Sequence, residues 1–190
     1  MNILMNRLFR AMLLTVTLIA SHPAHPQALP TATGPGTYVI VGGTLSDFES
    51  DYGKQAVTGL SVYVDSNLYW RSGLETEARR IVYPNFGERQ STLLVGPRWS
   101  FRAKGLVPYV KLLVGGGRFD FPYGFGHGDY FVVAPGAGLD LRVGEKVRVR
   151  LVDFEYQEWP GFSFGSIHPY GISAGISFQF WGASRTNISK

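Results

Sequence analysis

The chain has 190 residues, with 24 Gly, 11 Pro and no Cys; it is 45% hydrophobic, 14% aromatic and 17% charged, carries a formal net charge of +4, and has a mean hydropathy of +0.01. That length fits one domain with a real core, and the lack of Cys excludes disulfides, thiolate zinc sites and thiol catalysis. Charged residues fall below the roughly 25% of soluble domains and Gly exceeds its usual ~7%, which argues against a coiled coil, a disordered tail or a charged nucleic-acid binder.

Residues 1–28 read as a secretory signal. Arg7 and Arg10 are the only charges there, and they precede an apolar run from Ala11 to Ala20. That run is too short for a membrane helix, which needs about 20 apolar residues. The expected cut lies between Ser21 and Ala28; an uncleaved N-terminal anchor is the alternative. Loss of Arg7 and Arg10 from the 18 basic residues leaves 16 against 14 acidic ones, a net charge of +2. The charge balance therefore gives no reason to expect a nucleic-acid partner. Beyond residue 28 no apolar run is long enough for a helical span.

From there on, helical periodicity is almost absent and alternation of period two is everywhere. Eight alternating segments stand out, at about 37–46, 56–64, 69–82, 91–102, 107–118, 129–142, 146–157 and 169–181. They exceed the 5–6 residues usual for soluble strands and suit tilted strands crossing a bilayer; their even number suits a single-chain bacterial barrel. Within them, Glu75, Glu77 and Arg79 share one face in the third segment, opposite Leu74, Thr76 and Ala78. Arg98 faces away from Leu93, Val95, Trp99 and Phe101, Lys111 away from Val110 and Leu112, and Asp140 and Arg142 away from Leu139 and Leu141. Mixed charges on one face at mid-strand fit the lumen of a small barrel, where buried charges must be paired. In the seventh segment, Arg148 and Arg150 have the opposite parity to Asp153 and Glu155. A β-bulge near Leu151–Val152 would turn all four inward; snorkelling arginines at the interface are the alternative.

Aromatics near segment ends read as two interfacial girdles: Tyr38, Tyr63, Tyr69, Trp70, Tyr83, Trp99, Phe101, Tyr109, Phe119, Phe131, Phe154, Tyr156, Trp159, Tyr170 and Trp181. With the N-terminus periplasmic, 65–68, 103–106 and 143–145 are expected as periplasmic turns. The longer connections near 47–55, 83–90, 119–128 and 158–168 are then external loops. The expected fold is all-β: an eight-stranded antiparallel up-and-down transmembrane β-barrel over 37–181, followed by a short tail, 182–190.

In the last segment, Ser173, Gly175, Phe178 and Phe180 of "SAGISFQF" resemble the assembly signal of outer-membrane barrels. With "GLETEAR" at 73–79, "PGAGLDLR" at 135–142 and "VDFEYQ" at 152–157, the chain resembles the outer-membrane β-barrel superfamily of OmpA/OmpX-like and opacity-type proteins. The likeness spans 37–181 and departs in one respect: residues 181–190 follow the aromatic on which typical members end. It implies a bacterial outer-membrane location, contact with outer-membrane lipid and lipopolysaccharide, and the barrel-assembly machinery as a partner.

The residues expected to matter are therefore a lumen charge cluster (Glu75, Glu77, Arg79, Arg98, Lys111, Asp140, Arg142, Arg150, Asp153, Glu155) and a set of external-loop aromatics (Phe121, Tyr123, Phe125, Trp159, Phe162, Phe164). An exposed aromatic patch marks a binding surface for some surface ligand, whereas the blander reading has these rings extend the girdle or cap the barrel. No catalytic set is expected: no Ser stands two after His127, and "SIH" at 166–168 has the reverse of a deacylase order. His127, Asp129 and His168 could meet around a metal, but turn residues in a Gly-rich loop explain them better. No metal and no cofactor are expected. A monomeric barrel with a structural or surface-interaction role leads; a narrow ion or small-solute channel and a lipid-modifying enzyme are the alternatives.

Overall fold

A computed structural model describes residues 37–51, 55–69, 71–83, 88–101, 103, 105–121, 126–162 and 165–181. The expected signal segment, the tail, Trp70, Tyr123, Phe125 and Phe164 lie outside them. The elements are β1 (Tyr38–Ser50), β2 (Gln55–Tyr69), β3 (Ser72–Val82), β4 (Arg89–Ser100), β5 (Leu106–Asp120), β6 (His127–Arg142), β7 (Val147–Tyr156) and β8 (Tyr170–Trp181). Each pairs antiparallel with the next, and β1 closes on β8 to complete a barrel. The fold is the up-and-down barrel that the alternation implies.

Why these residues close that way is visible in the pleat. Successive side chains alternate between wall and lumen. On the outside stand Val41, Leu45, Leu60, Val62, Leu112, Val114, Ile172 and Ile176, with Leu45 66% and Leu60 60% exposed. Closure removes every sheet edge, so the wall offers a surrounding solvent no unpaired backbone groups, only apolar side chains. Such a surface is matched to hydrocarbon, where every backbone polar group must be satisfied internally.

The strands run further than the alternation suggests. Asp65–Tyr69 continues β2 and β3 begins at Ser72, because Asp65, though turn-like in sequence, points into the lumen and pairs with Arg98. Likewise 47–50 belongs to β1, and the ladder between β5 and β6 continues to Asp120↔His127. In β7, Asp140 pairs with Arg150 and Leu139 with Val152, so the register shifts at Leu151–Val152. Those two residues both face outward and Arg148, Arg150, Asp153 and Glu155 are all buried. The bulge reconciles a parity that a regular strand could not.

The girdle divides. Tyr69, Trp99, Phe101, Phe131, Phe154, Tyr170 and Trp181 face outward, while Tyr38, Tyr63, Tyr83, Tyr109, Phe119 and Trp159 are buried in the interior. Glycines make this possible. A Cβ at Gly42 would collide with the Tyr63 ring, one at Gly138 with Tyr109, one at Gly171 with Phe48, and one at Gly117 with the Trp159 indole.

Candidate functional site: a two-level lumen

The interior has two levels, and the lower one, toward the Tyr38 end of β1 and the Trp181 end of β8, is ionic. Arg98 Nη1 donates to Glu75 at 2.7 Å and approaches Asp65 at 3.0 Å, while its Nη2 donates to Asp140 at 2.5 Å. Arg150 reaches Glu75 at 3.0 Å, Asp153 at 3.3 Å and Asp140 at 3.4 Å. Lys111 Nζ sits among four carboxylates: Asp153 at 2.7 Å, Glu155 at 3.0 Å, and Glu75 and Glu77 both at 3.2 Å. Arg79 binds Glu155 at 2.9 Å and also contacts Glu77. Every one of these side chains is at most 5% exposed.

Taking so many charges out of water is tolerable only because each faces opposite charge and further donors or acceptors. Aromatic faces complete the cage. The Arg150 guanidinium lies 3.6 Å from the Tyr63 ring centroid and that of Arg98 3.7 Å from Tyr109. Arg79 lies 4.4 Å over Phe48 and Arg148 4.6 Å over Tyr38. Guanidinium groups are weakly hydrated planes, suited to such stacking.

Of the expected charge cluster, nine residues come together here. Arg142, the last residue of β6, is partly exposed at the barrel rim. Asp65, Tyr63 and Tyr109 were not expected in the cluster, yet their parity marks them. Tyr63 and Asp65 alternate with Val62 and Val64, and Tyr109 shares the face of Lys111.

Among the described residues, Glu75, Glu77 and Asp153 are the group whose ligand atoms converge as a metal site would require. Lys111 Nζ donates to all three, so its ammonium stands where a cation would sit. His127 is exposed on the outer wall, whereas His168 lies 3.4 Å from Asp51 and stacks on Tyr156. Its backbone N–H also donates to Asp51, so His168 is held between the end of β7 and the residue that follows β1.

The upper level is apolar. Phe48, Val57, Ile81, Tyr83, Leu94, Leu113, Phe119, Val132, Ala134, Trp159, Phe162 and Ile167 form one buried cluster. Residues 157–162 and 165–169 of the β7–β8 connection supply its lid: Glu158 pairs with Val133 of β6, and Trp159 N–H donates to Ile167 O at 3.0 Å. Phe162 packs edge-on against Phe119 at 5.3 Å and lies 5.9 Å from Phe121. Three of the expected external-loop aromatics thus leave the surface. Trp159 and Phe162 are buried and Phe121 is half-buried, so these rings form a cap rather than an exposed patch. Apolar rings gain more by filling a glycine-lined mouth than by standing in water.

Gln157 joins the two levels. Its Oε1 accepts from Trp159 Nε1 at 3.0 Å and from Gln90 at 3.2 Å, while its Nε2 donates to Glu155 at 2.8 Å. In β8, Phe178 and Phe180 face outward, and Ser173, on the lumen face, donates to Ser46 at 3.0 Å.

No protein-family profile matches the chain, nor does any curated protein match it in sequence. Solved structures do share the fold. Neisserial surface protein A superposes with a TM-score of 0.64 at 12% identity, over 76% of this chain and 97% of its own. The N-terminal β-barrel domain of Pseudomonas aeruginosa OprF aligns at 0.53 and 13% identity, over 76% and 100%. The outer membrane protein OprG of the same organism aligns at 0.53 and 13%, over 78% and 98%. The architecture is that of eight-stranded outer-membrane barrels.

Proposed function

We propose that this chain is an integral bacterial outer-membrane barrel that acts through its wall and external face, in a structural or recognition role, with its lumen closed. One observation carries the reading: the interior is filled at both levels, by ion pairs below and a Trp159–Phe162 lid above. An eight-stranded barrel has just the room for such filling, and opening it would strand buried charges. The apolar wall supports the membrane placement, as does the likeness in fold to a Neisserial surface protein and to OprG.

The experiment combines two measurements on the full chain. Outer-membrane preparations should contain the protein, with gel migration that changes on boiling, and the refolded protein in planar bilayers should show no sustained conductance. Recovery in the soluble fraction with unchanged migration defeats the membrane reading; steady ion-selective conductance defeats the closed lumen.

A further inference from the structure

The outer wall is not uniform at its external end. Among the described residues, the exposed arginines of that half stand on three adjacent strands: Arg80 on β3, Arg89 on β4 and Arg118 on β5. They alternate with the buried lumen residues Arg79, Ile81, Gln90, Thr92 and Phe119, so they point away from the barrel. Arg80 is in register with Ser91, and Ser91 with Arg118; Arg89 stands two residues further out on the same strand. Strand spacing puts Arg80 and Arg118 about 10 Å apart, with Arg89 about 7 Å beyond the line between them. Three long side chains can therefore converge on one headgroup.

Among the described residues, two aspartates, Asp120 and Asp129, share this face with them. Arg80 faces only Leu60 and Ser91 across the ladders. Arg89 is in register with Asp120 and Arg118 with Asp129, and Arg118 is 49% exposed, reaching Asp120 only at 3.5 Å. Three arginines thus outnumber Asp120 and Asp129 on this face, whereas β1 on the opposite wall carries acid alone at this height, at Asp47 and Glu49.

Directly below the arginines lies a second, independent feature. The next outward row toward mid-membrane is Ala78, Leu93, Gly116 and Phe131, in register across β3 to β6. Gly116 is the only described strand glycine whose added Cβ would meet nothing within 4 Å. Its φ is not among the positive ones, so neither packing nor backbone calls for glycine here. Glycine in a strand is otherwise a loss. What it leaves is a shallow notch between Leu93 and Phe131, open to the hydrocarbon side.

We propose that this face binds a phosphorylated glycolipid of the outer leaflet, its phosphates on Arg80, Arg89 and Arg118 and an acyl chain in the notch at Gly116. Arginine forks match phosphate oxygens, and the ordering of cations above an apolar groove is that of a lipid, headgroup over chain. The inference rests on the outer-membrane placement above.

The test is native mass spectrometry of the refolded full chain in detergent, titrated with bisphosphorylated lipid A, its dephosphorylated form, or inorganic phosphate. Wild-type protein should retain the bisphosphorylated lipid about tenfold better than the dephosphorylated one, and millimolar inorganic phosphate should not displace it. The Arg80→Ala/Arg89→Ala/Arg118→Ala variant should lose that preference, whereas Asp47→Asn/Glu49→Gln should keep it. Gly116→Val should bind about fourfold more weakly with the arginines intact. Equal retention of both lipids, undiminished binding by the triple variant, displacement by inorganic phosphate, or an unaffected Gly116→Val each overturns the site. Heat-modifiable migration of every variant checks the barrel independently, so failure of the membrane reading shows there and failure of the lipid site only in the titration.

Discussion

The two levels of the lumen fill the same kind of space by opposite physics. Below, the barrel wall itself supplies every group, and Lys111, Arg98 and Arg150 are held by carboxylates projecting from β2, β3, β6 and β7. Above, the wall supplies apolar side chains and small residues, and a connection between strands supplies the plug, with Trp159 lying on the backbone of Gly117. The lower level is stable only as a complete set, because any orphaned charge retains its full desolvation cost. The upper level degrades gradually, since a lost ring leaves a cavity but no unsatisfied charge. Gln157 is the joint, touching Glu155 on one side and Trp159 on the other.

Substitutions at the two levels should separate these behaviours. The largest effect belongs to Lys111→Met, which leaves Glu75, Glu77, Asp153 and Glu155 facing one another without their ammonium. A loss of about 4 kcal/mol is expected in guanidinium unfolding of the refolded barrel, partly recovered by adding Glu155→Gln. A loss under about 1 kcal/mol would mean that the ionic level is not interdependent. Trp159→Ala comes next, at about 3 kcal/mol in the same titration, with protease cleavage appearing within 157–169 while β1 to β8 stay protected. Uniform cleavage along the chain would show that the lid and wall are one cooperative unit.

Gly117→Val should cost about 2 kcal/mol by pushing the indole off its seat, and tryptophan fluorescence should shift to the red as Trp159 meets water. An unshifted spectrum would contradict the seat. The smallest change is Tyr109→Phe, expected within about 0.5 kcal/mol of the parent. Among the described residues the Tyr109 hydroxyl has no hydrogen-bond partner, while the ring that stacks on Arg98 is kept. A large loss there would assign the hydroxyl a role in the ionic set.

Much of this was legible in the residues alone, and where reading failed the reason is physical. Alternation told lumen from wall in β3, β4 and β8, because one face was charged or small and the other apolar. It misplaced Tyr63 and Tyr109, whose rings suit either an interface or a guanidinium; only their parity with Asp65 and Lys111 argued for the inside. It ended β2 early, since Asp65, Ser66 and Asn67 have turn chemistry that a distant Arg98 overrides. The aromatics near Trp159 and Phe162 stayed open between a surface patch and a cap, because nothing local says that a connection folds inward; their burial decides for the cap.

Strand number, period and the need for paired charges inside were thus legible from side-chain alternation along each strand, while a barrel rather than a sandwich was legible only from the strand count, the inward charges and the aromatics taken together. Which acid meets which base, that Lys111 fills the carboxylate cage of Glu75, Glu77 and Asp153, and that Trp159 and Phe162 cap the mouth came from the tertiary fold. Those depend on register between strands far apart in the chain and on volumes left by glycines such as Gly117 and Gly138, and alternation along a single strand carries neither.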